Sequence, residues 1–253
     1  MIKRRLVTCS VMLVMVVISG LCIFSKNDTR TVSKIAAKYK FIYAQNDVSY
    51  DFKFADEAIP VNNDRINRKL RISLIRNSYG NIQSNVLQIK AARLFPIIEP
   101  ILKAYGIPDD FKYLPLVESG LHSGTSIRGA AGSWQFMAGT ARTYGLKVGN
   151  GRDERMNIRK STVAACIYLK ELYGQFKSWT LTAAAYNIGE IKMAKAIRTQ
   201  GERNYFRMHF NPETGSYVYK LIAMKAIIEK PASYGYKAPF SYNLQHSHLL
   251  AFN

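Results

Sequence analysis

Glu118 ends the apolar run Leu114-Pro115-Leu116-Val117, and no further Asp or Glu occurs until Asp153. On a helix starting near Asp109, Phe111, Leu114 and Glu118 fall at i, i+3 and i+7. At ~100° per residue this brings Glu118 to within roughly 20° of Phe111. A carboxyl on an apolar stripe is desolvated, its pKa rises, and it becomes fit to act as a general acid near neutral pH. The competing reading is a surface glutamate at a helix end, just ahead of Gly120.

Three other stretches carry residue types suited to a saccharide. GAAGSWQF at 129–136 combines small residues that admit a close backbone approach with Trp134, an apolar plate, and Gln135, an amide that both donates and accepts. The alternative for Trp134 is a core side chain beside a turn. AAAYNIGE at 183–190 places Ala183, Tyr186, Asn187 and Glu190 on one helix face. ETGSYVYK at 213–220 begins a series, Glu213, Tyr217, Leu221, Met224 and Ile228, that steps by three or four and sets Glu213 on an apolar stripe. The alternative for Glu213 is a first-turn acid favoured by the helix dipole.

The elements that must position these residues read as helices. Asn63 or Asp64 caps one through Ile75, and Asn77 to Asn81 forms a turn. Another helix runs from near Ser84 to Ala104, kinked or split by Pro96 and Pro100. Further helices are expected at 161–176, 179–187 and 190–199, and from Asn211-Pro212 to about Lys230. Strand-like alternation is scarce, so the fold class is mainly α. The chain divides into a membrane anchor or signal segment (1–25), a tether and N-terminal approach segment (26–83), a catalytic domain (84–230) and a C-terminal tail (231–253).

Composition bounds the partners. A formal charge of +19 predicts affinity for something acidic. The basic residues are dispersed and match no nucleic-acid-binding motif, so no nucleic acid is expected. The histidines 122, 209, 246 and 248 show no ligand spacing, and the cysteines 9, 22 and 166 make no disulfide framework, so neither a metal nor another cofactor is expected. Lys3, Arg4 and Arg5 precede an uncharged run at residues 6–24, close to the ~20 residues that span a bilayer. The basic flank is expected to stay inside and everything after Lys26 to be exported. An uncleaved anchor, a cleaved signal peptide and acylation at Cys22, which follows the large Leu21, are the alternatives.

In this order and spacing the four stretches resemble the Slt-type lytic transglycosylase domain, and within it the membrane-bound lytic murein transglycosylase D subgroup. The resemblance runs from about Asp51 to Tyr236 and is densest over 107–140. It implies a lysozyme-like helical fold and cleavage of the MurNAc-β-1,4-GlcNAc bond of peptidoglycan glycan strands in the bacterial envelope. Glu118 becomes the single catalytic acid/base. Ser126, Gln135, Tyr186 and Asn187 become substrate contacts, with Tyr186 and Asn187 also holding the catalytic carboxyl. Glu213, as a buried acid, and Trp134 support the site. Ser133 and Ala138 depart from the family pattern, which has a larger apolar residue and a proline there. Two-carboxylate hydrolases need a second acid roughly 5–9.5 Å from the first. A transglycosylase does not, because the sugar's own C6 hydroxyl closes a 1,6-anhydro ring. Asp153 and Glu190 are the acids left as candidate second bases. A hydrolytic muramidase and a non-catalytic peptidoglycan-binding scaffold are the alternative functions.

Overall fold

The computed structural model describes residues 52–82, 84–119 and 124–236; the anchor expected at 6–24 and the tail beyond Tyr236 lie outside them. Among the described residues no helix is long and apolar enough to cross a membrane. The chain enters through a two-residue hairpin, β1 (Lys53–Phe54) and β2 (Glu57–Ala58), with Lys53 opposite Ala58. Among the described residues nine α-helices follow: α1 (Asp64–Asn77), α2 (Tyr79–Ile82), α3 (Val86–Tyr105), α4 (Leu114–Ser119), α5 (Ala138–Thr143), α6 (Ile158–Phe176), α7 (Trp179–Ile188), α8 (Glu190–Gln200) and α9 (Thr214–Glu229). A second hairpin, β3 (Val148–Gly149) with β4 (Arg152–Asp153), lies between α5 and α6.

Helix α9 is the axis of the fold. Val218, Leu221, Ala223, Ala226 and Ile227 are fully buried, and buried residues occur on every side of it. A helix apolar all round must be enclosed, and α9 packs against α1, α7 and α4. Helix α7 is similarly enclosed over Thr180–Ala185 and packs on α6 and α8. The runs of alanine there let helices approach closely. Residues 52–82, placed ahead of the catalytic segment by the sequence reading, share this core: Phe54 is fully buried against Phe111, and α1 lies along α9. The start of the expected tail also packs, with Tyr236 donating to the Asn77 carbonyl at 2.6 Å.

Local caps bound the helices. Asn63 accepts from the Arg65 and Ile66 amides, and Gly106 and Gly201 end α3 and α8 in the left-handed conformation. Three expectations change. The turn at 77–81 contains a single helical turn, α2. Helix α3 is unbroken through Pro96 and Pro100. The two prolines sit four apart on an exposed face, so the carbonyls they leave without a donor, those of Ala92 and Pro96, lie at exposed residues where water serves them. The expected helix from Asp109 divides into a 3₁₀ turn, Asp109–Tyr113, and then α4. The uniform 100° step therefore does not hold from Phe111 to Glu118, although Phe111 and Leu114 are both fully buried.

Candidate active site

Glu118 is the penultimate residue of α4, held by the buried Leu114, Pro115 and Leu116 beneath it. Pro115 fits because the first turn of a helix has no intrahelical use for its N–H groups. The Glu118 side chain is half-buried and its Oε1 accepts a hydrogen bond from the Tyr217 hydroxyl of α9. Burial pushes the carboxyl up to about 7. The Tyr217 bond opposes that rise, the nearby Glu213 charge adds to it, and Lys220 opposes it. Tyr217 itself is buried, and desolvation with the adjacent Glu118 raises its hydroxyl well above the ordinary range, so it remains a neutral donor.

The glycine stretch folds as a tight loop. Isolated bridges join Thr125 to Ala131 and Ala131 to Phe136. Gly132 has φ +75°, and a Cβ there would lie 2.0 Å from the Arg155 carbonyl oxygen, so only glycine fits. Gln135 is half-buried at φ +47° and spends its amide on the Gly132 carbonyl at 2.8 Å and, more weakly, on that of Gly124. Ser126 is exposed, and its hydroxyl accepts from the Ala130 amide at 3.0 Å. Trp134 is fully buried and donates to Thr162 at 2.9 Å. It is therefore a core residue, and the apolar-plate reading is corrected: no face of the indole meets solvent.

Arg155 clasps this loop. Its Nη1 donates to the Gly129 and Phe136 carbonyls at 2.7 and 3.0 Å, while Nε and Nη2 pair with Asp153 at 2.8 and 2.6 Å. Asp153 is thereby held below the usual carboxylate range, and both its oxygens are engaged by Arg155. Glu190 accepts from Tyr168 at 3.2 Å. It opens α8 beyond the Gly189 break, so it does not share one continuous helix with Tyr186.

The Tyr186 hydroxyl donates to the Trp134 carbonyl at 2.8 Å, not to Glu118. Its ring packs on Trp134 and Phe136, and Glu118 lies near enough to help raise its hydroxyl's pKa. Asn187 bonds Glu213 at 3.4 Å and accepts from the Thr214 hydroxyl at 3.1 Å. Glu213 is exposed, not buried, and precedes the first residue of α9, whose amide at Thr214 is capped instead by Asn211 at 2.9 Å. Glu213 departs from the expected stripe because it lies in the exposed segment Asn211–Glu213 ahead of α9, whose first turn is already buried.

Glu118, Tyr186, Asn187, Glu213 and the glycine loop thus converge. Sequence reasoning missed three residues that hold them. Tyr217 was visible only as a step in the α9 series. Arg155 carried no signal of its own. Glu57 reaches from β2 to the start of α7, where its carboxylate accepts from the Trp179 and Thr180 amides and the Ser178 and Thr180 hydroxyls.

Residues 96–208 match the family model of the transglycosylase SLT domain. Membrane-bound lytic murein transglycosylase D of Escherichia coli (strain K12) is 33% identical over 183 residues, which is 70% of this chain and 40% of that protein. A putative tributyltin chloride resistance protein of Alteromonas sp. (strain M-1) is 26% identical over 161 residues, 60% of this chain and 78% of its own. The chain thus spans about two fifths of the length of its E. coli relative. Among solved structures, an inactive mutant of lytic transglycosylase Slt from Pseudomonas aeruginosa is similar at 19% identity and a TM-score of 0.40, over 57% of this chain and 25% of that one. The matched segment spans α3 from Pro96 onward through α8, so Glu118 and Tyr186 fall within it, while Glu213, just before α9, and Tyr217, within α9, lie beyond it.

Proposed function

We propose that this protein is a peptidoglycan lytic transglycosylase with a lysozyme-like catalytic domain, exported and tethered to a membrane through residues 6–24. It cleaves the MurNAc-β-1,4-GlcNAc bond with Glu118 as its single acid/base. The observation that carries this reading is the Glu118 carboxyl itself, raised to about 7 by burial yet held by a neutral hydroxyl. Such a group is protonated often enough to donate and basic enough to take a proton back. In the first step Glu118 protonates the glycosidic oxygen as the C1–O bond breaks, and the substrate's 2-acetamido oxygen bonds C1. In the second, ionised Glu118 takes the proton of the C6 hydroxyl, whose oxygen bonds C1 and displaces the acetamido oxygen. Glu118 ends protonated, no water is consumed, and the attack gains the advantage of an intramolecular reaction. Ser126, Gln135 and Asn187 contact the sugar; Tyr186 fixes the glycine loop through Trp134.

One observation favours the hydrolytic alternative. Glu213 is exposed and its charge is felt at Glu118, so a water between the two has a second carboxylate to activate it. The end group of the released sugar separates the readings: an anhydro ring supports the transglycosylase, a reducing end the muramidase.

A further inference from the structure

One small cavity beside the catalytic carboxyl takes no part in the chemistry above. The face of α9 that begins at Tyr217 continues through Lys220 and Met224 at i+3 and i+7, and both line a half-open cavity of about 100 Å³. Leu116 and Val117, the two residues before Glu118 in α4, line it too, and Ile82 of α2 and Leu87 of α3 complete the wall. The cavity therefore lies next to Glu118, between the same two elements that the Tyr217 bond joins.

Its lining is apolar except at one point. Five apolar side chains surround it, and the amide nitrogen of Asn77 is spent on the Ser73 carbonyl at 2.8 Å. Lys220 is half-buried, its charge is felt at Glu118, and among the described residues its ammonium has neither a hydrogen bond nor an ion pair. Among those residues no carboxylate lines the cavity. A cation so placed is best served by an oxygen acceptor brought in from outside. At ~30 Å³ for each water-sized group, the space suits a branch of about three or four heavy atoms. A methyl against the apolar wall and an oxygen at Lys220 fill it.

We propose that this cavity takes the 3-O-lactyl branch of the sugar being cut, with Lys220 as the residue that selects it. The proposal rests on the transglycosylase reading, which leaves that branch and no other. On the ring whose C1–O bond breaks, the acetamido group at C2 and the hydroxyl at C6 both turn to C1, and C4 carries the glycan onward. C3 is separated from C1 only by C2, so its lactyl ether reaches a cavity adjoining Glu118. The lactyl methyl meets Leu116, Val117 and Met224, and its carboxyl oxygen accepts from Lys220. A glycan built of GlcNAc alone has only a hydroxyl at C3 and leaves Lys220 without that acceptor.

The test measures binding by the full-length chain in detergent, carrying Glu118→Gln so that no strand is cut and Lys220 cannot act through the Glu118 charge. Its ligands are glycan strands stripped of peptide by an amidase, which bear free lactyl carboxylates, and the same strands with those carboxylates converted to methylamides. Adding Lys220→Met is expected to reduce the preference for the carboxylate strands roughly three- to tenfold, the effect of losing one charge-assisted hydrogen bond that stays partly wet. Lys220→Arg keeps the preference. Lys103→Met, at an exposed cation of α3, leaves it unchanged. A preference that survives Lys220→Met overturns the proposal, as does a chain that binds neither kind of strand. So does a preference that falls equally in Lys103→Met, which reports only overall charge. An equal loss of affinity for both strands at Lys220→Met also overturns it, because an acetamido group would then be the occupant. If the unmutated chain releases no fragments from peptidoglycan sacculi, it is the transglycosylase reading that falls.

Discussion

The Tyr217 hydroxyl of α9 donates to Glu118 Oε1 of α4, joining two elements 99 residues apart in sequence. The bond favours the ionised carboxylate and so opposes the burial that raises Glu118. Tyr217→Phe removes the donor with little change of shape. The Glu118 pKa then rises further, so the alkaline limb of the pH–rate profile moves to higher pH, while kcat falls roughly tenfold because the carboxylate needed for the second proton transfer is less stabilised. A pH–rate profile of the variant beside wild type checks both signs.

Glu118 also links stability to pH. Its folded pKa, about 7, lies above the unfolded value of 4.5, so between those values the folded chain binds the extra proton. Stability is full below about 4.5 and is lost as pH rises through 7, by at most roughly 3 kcal/mol. Glu118→Gln abolishes this dependence. The melting temperature of the variant minus that of wild type should therefore grow more positive from pH 4.5 to 8 and level off above. A difference independent of pH would contradict the raised pKa.

Arg155 predicts what holds the glycine loop. Arg155→Met leaves Asp153 unpaired and the Gly129 carbonyl without its donor. The expected cost is about 2–4 kcal/mol, measured by denaturant unfolding. Activity should fall by more than the unfolded fraction explains, because Gln135 and the Trp134 carbonyl that anchors Tyr186 both belong to this loop.

Much of the helical frame was legible because caps are local. Asn63, Gly106 and Gly201 act within a few residues of themselves and need no tertiary partner. The hairpin at Asn150-Gly151 had an equally local signal, but its strands of two residues are too short to show alternation. What sequence could not show were side chains acting across the fold. Glu57 caps α7 from more than a hundred residues away, and Arg155 is buried by its bonds to carbonyls rather than by its type. The α9 series misplaced Glu213 because the residue lies in the exposed segment ahead of the helix.

Ala138 shows a local departure that the structure permits to be reversed. It is the first residue of α5, and Met137 before it has φ −67° and ψ 145°, the conformation a following proline prefers. Ala138→Pro should stabilise the protein by about 0.4–1 kcal/mol, chiefly by restricting the unfolded chain, and so raise the melting temperature by a few degrees without altering activity.

The central claim, one carboxyl at Glu118 and no water, is tested most directly by mass spectrometry of the fragments that the purified protein releases from peptidoglycan sacculi. The account predicts products about 18 Da lighter than hydrolysis fragments, one water not having been added, and none from Glu118→Gln. Fragments with ordinary reducing ends would contradict it.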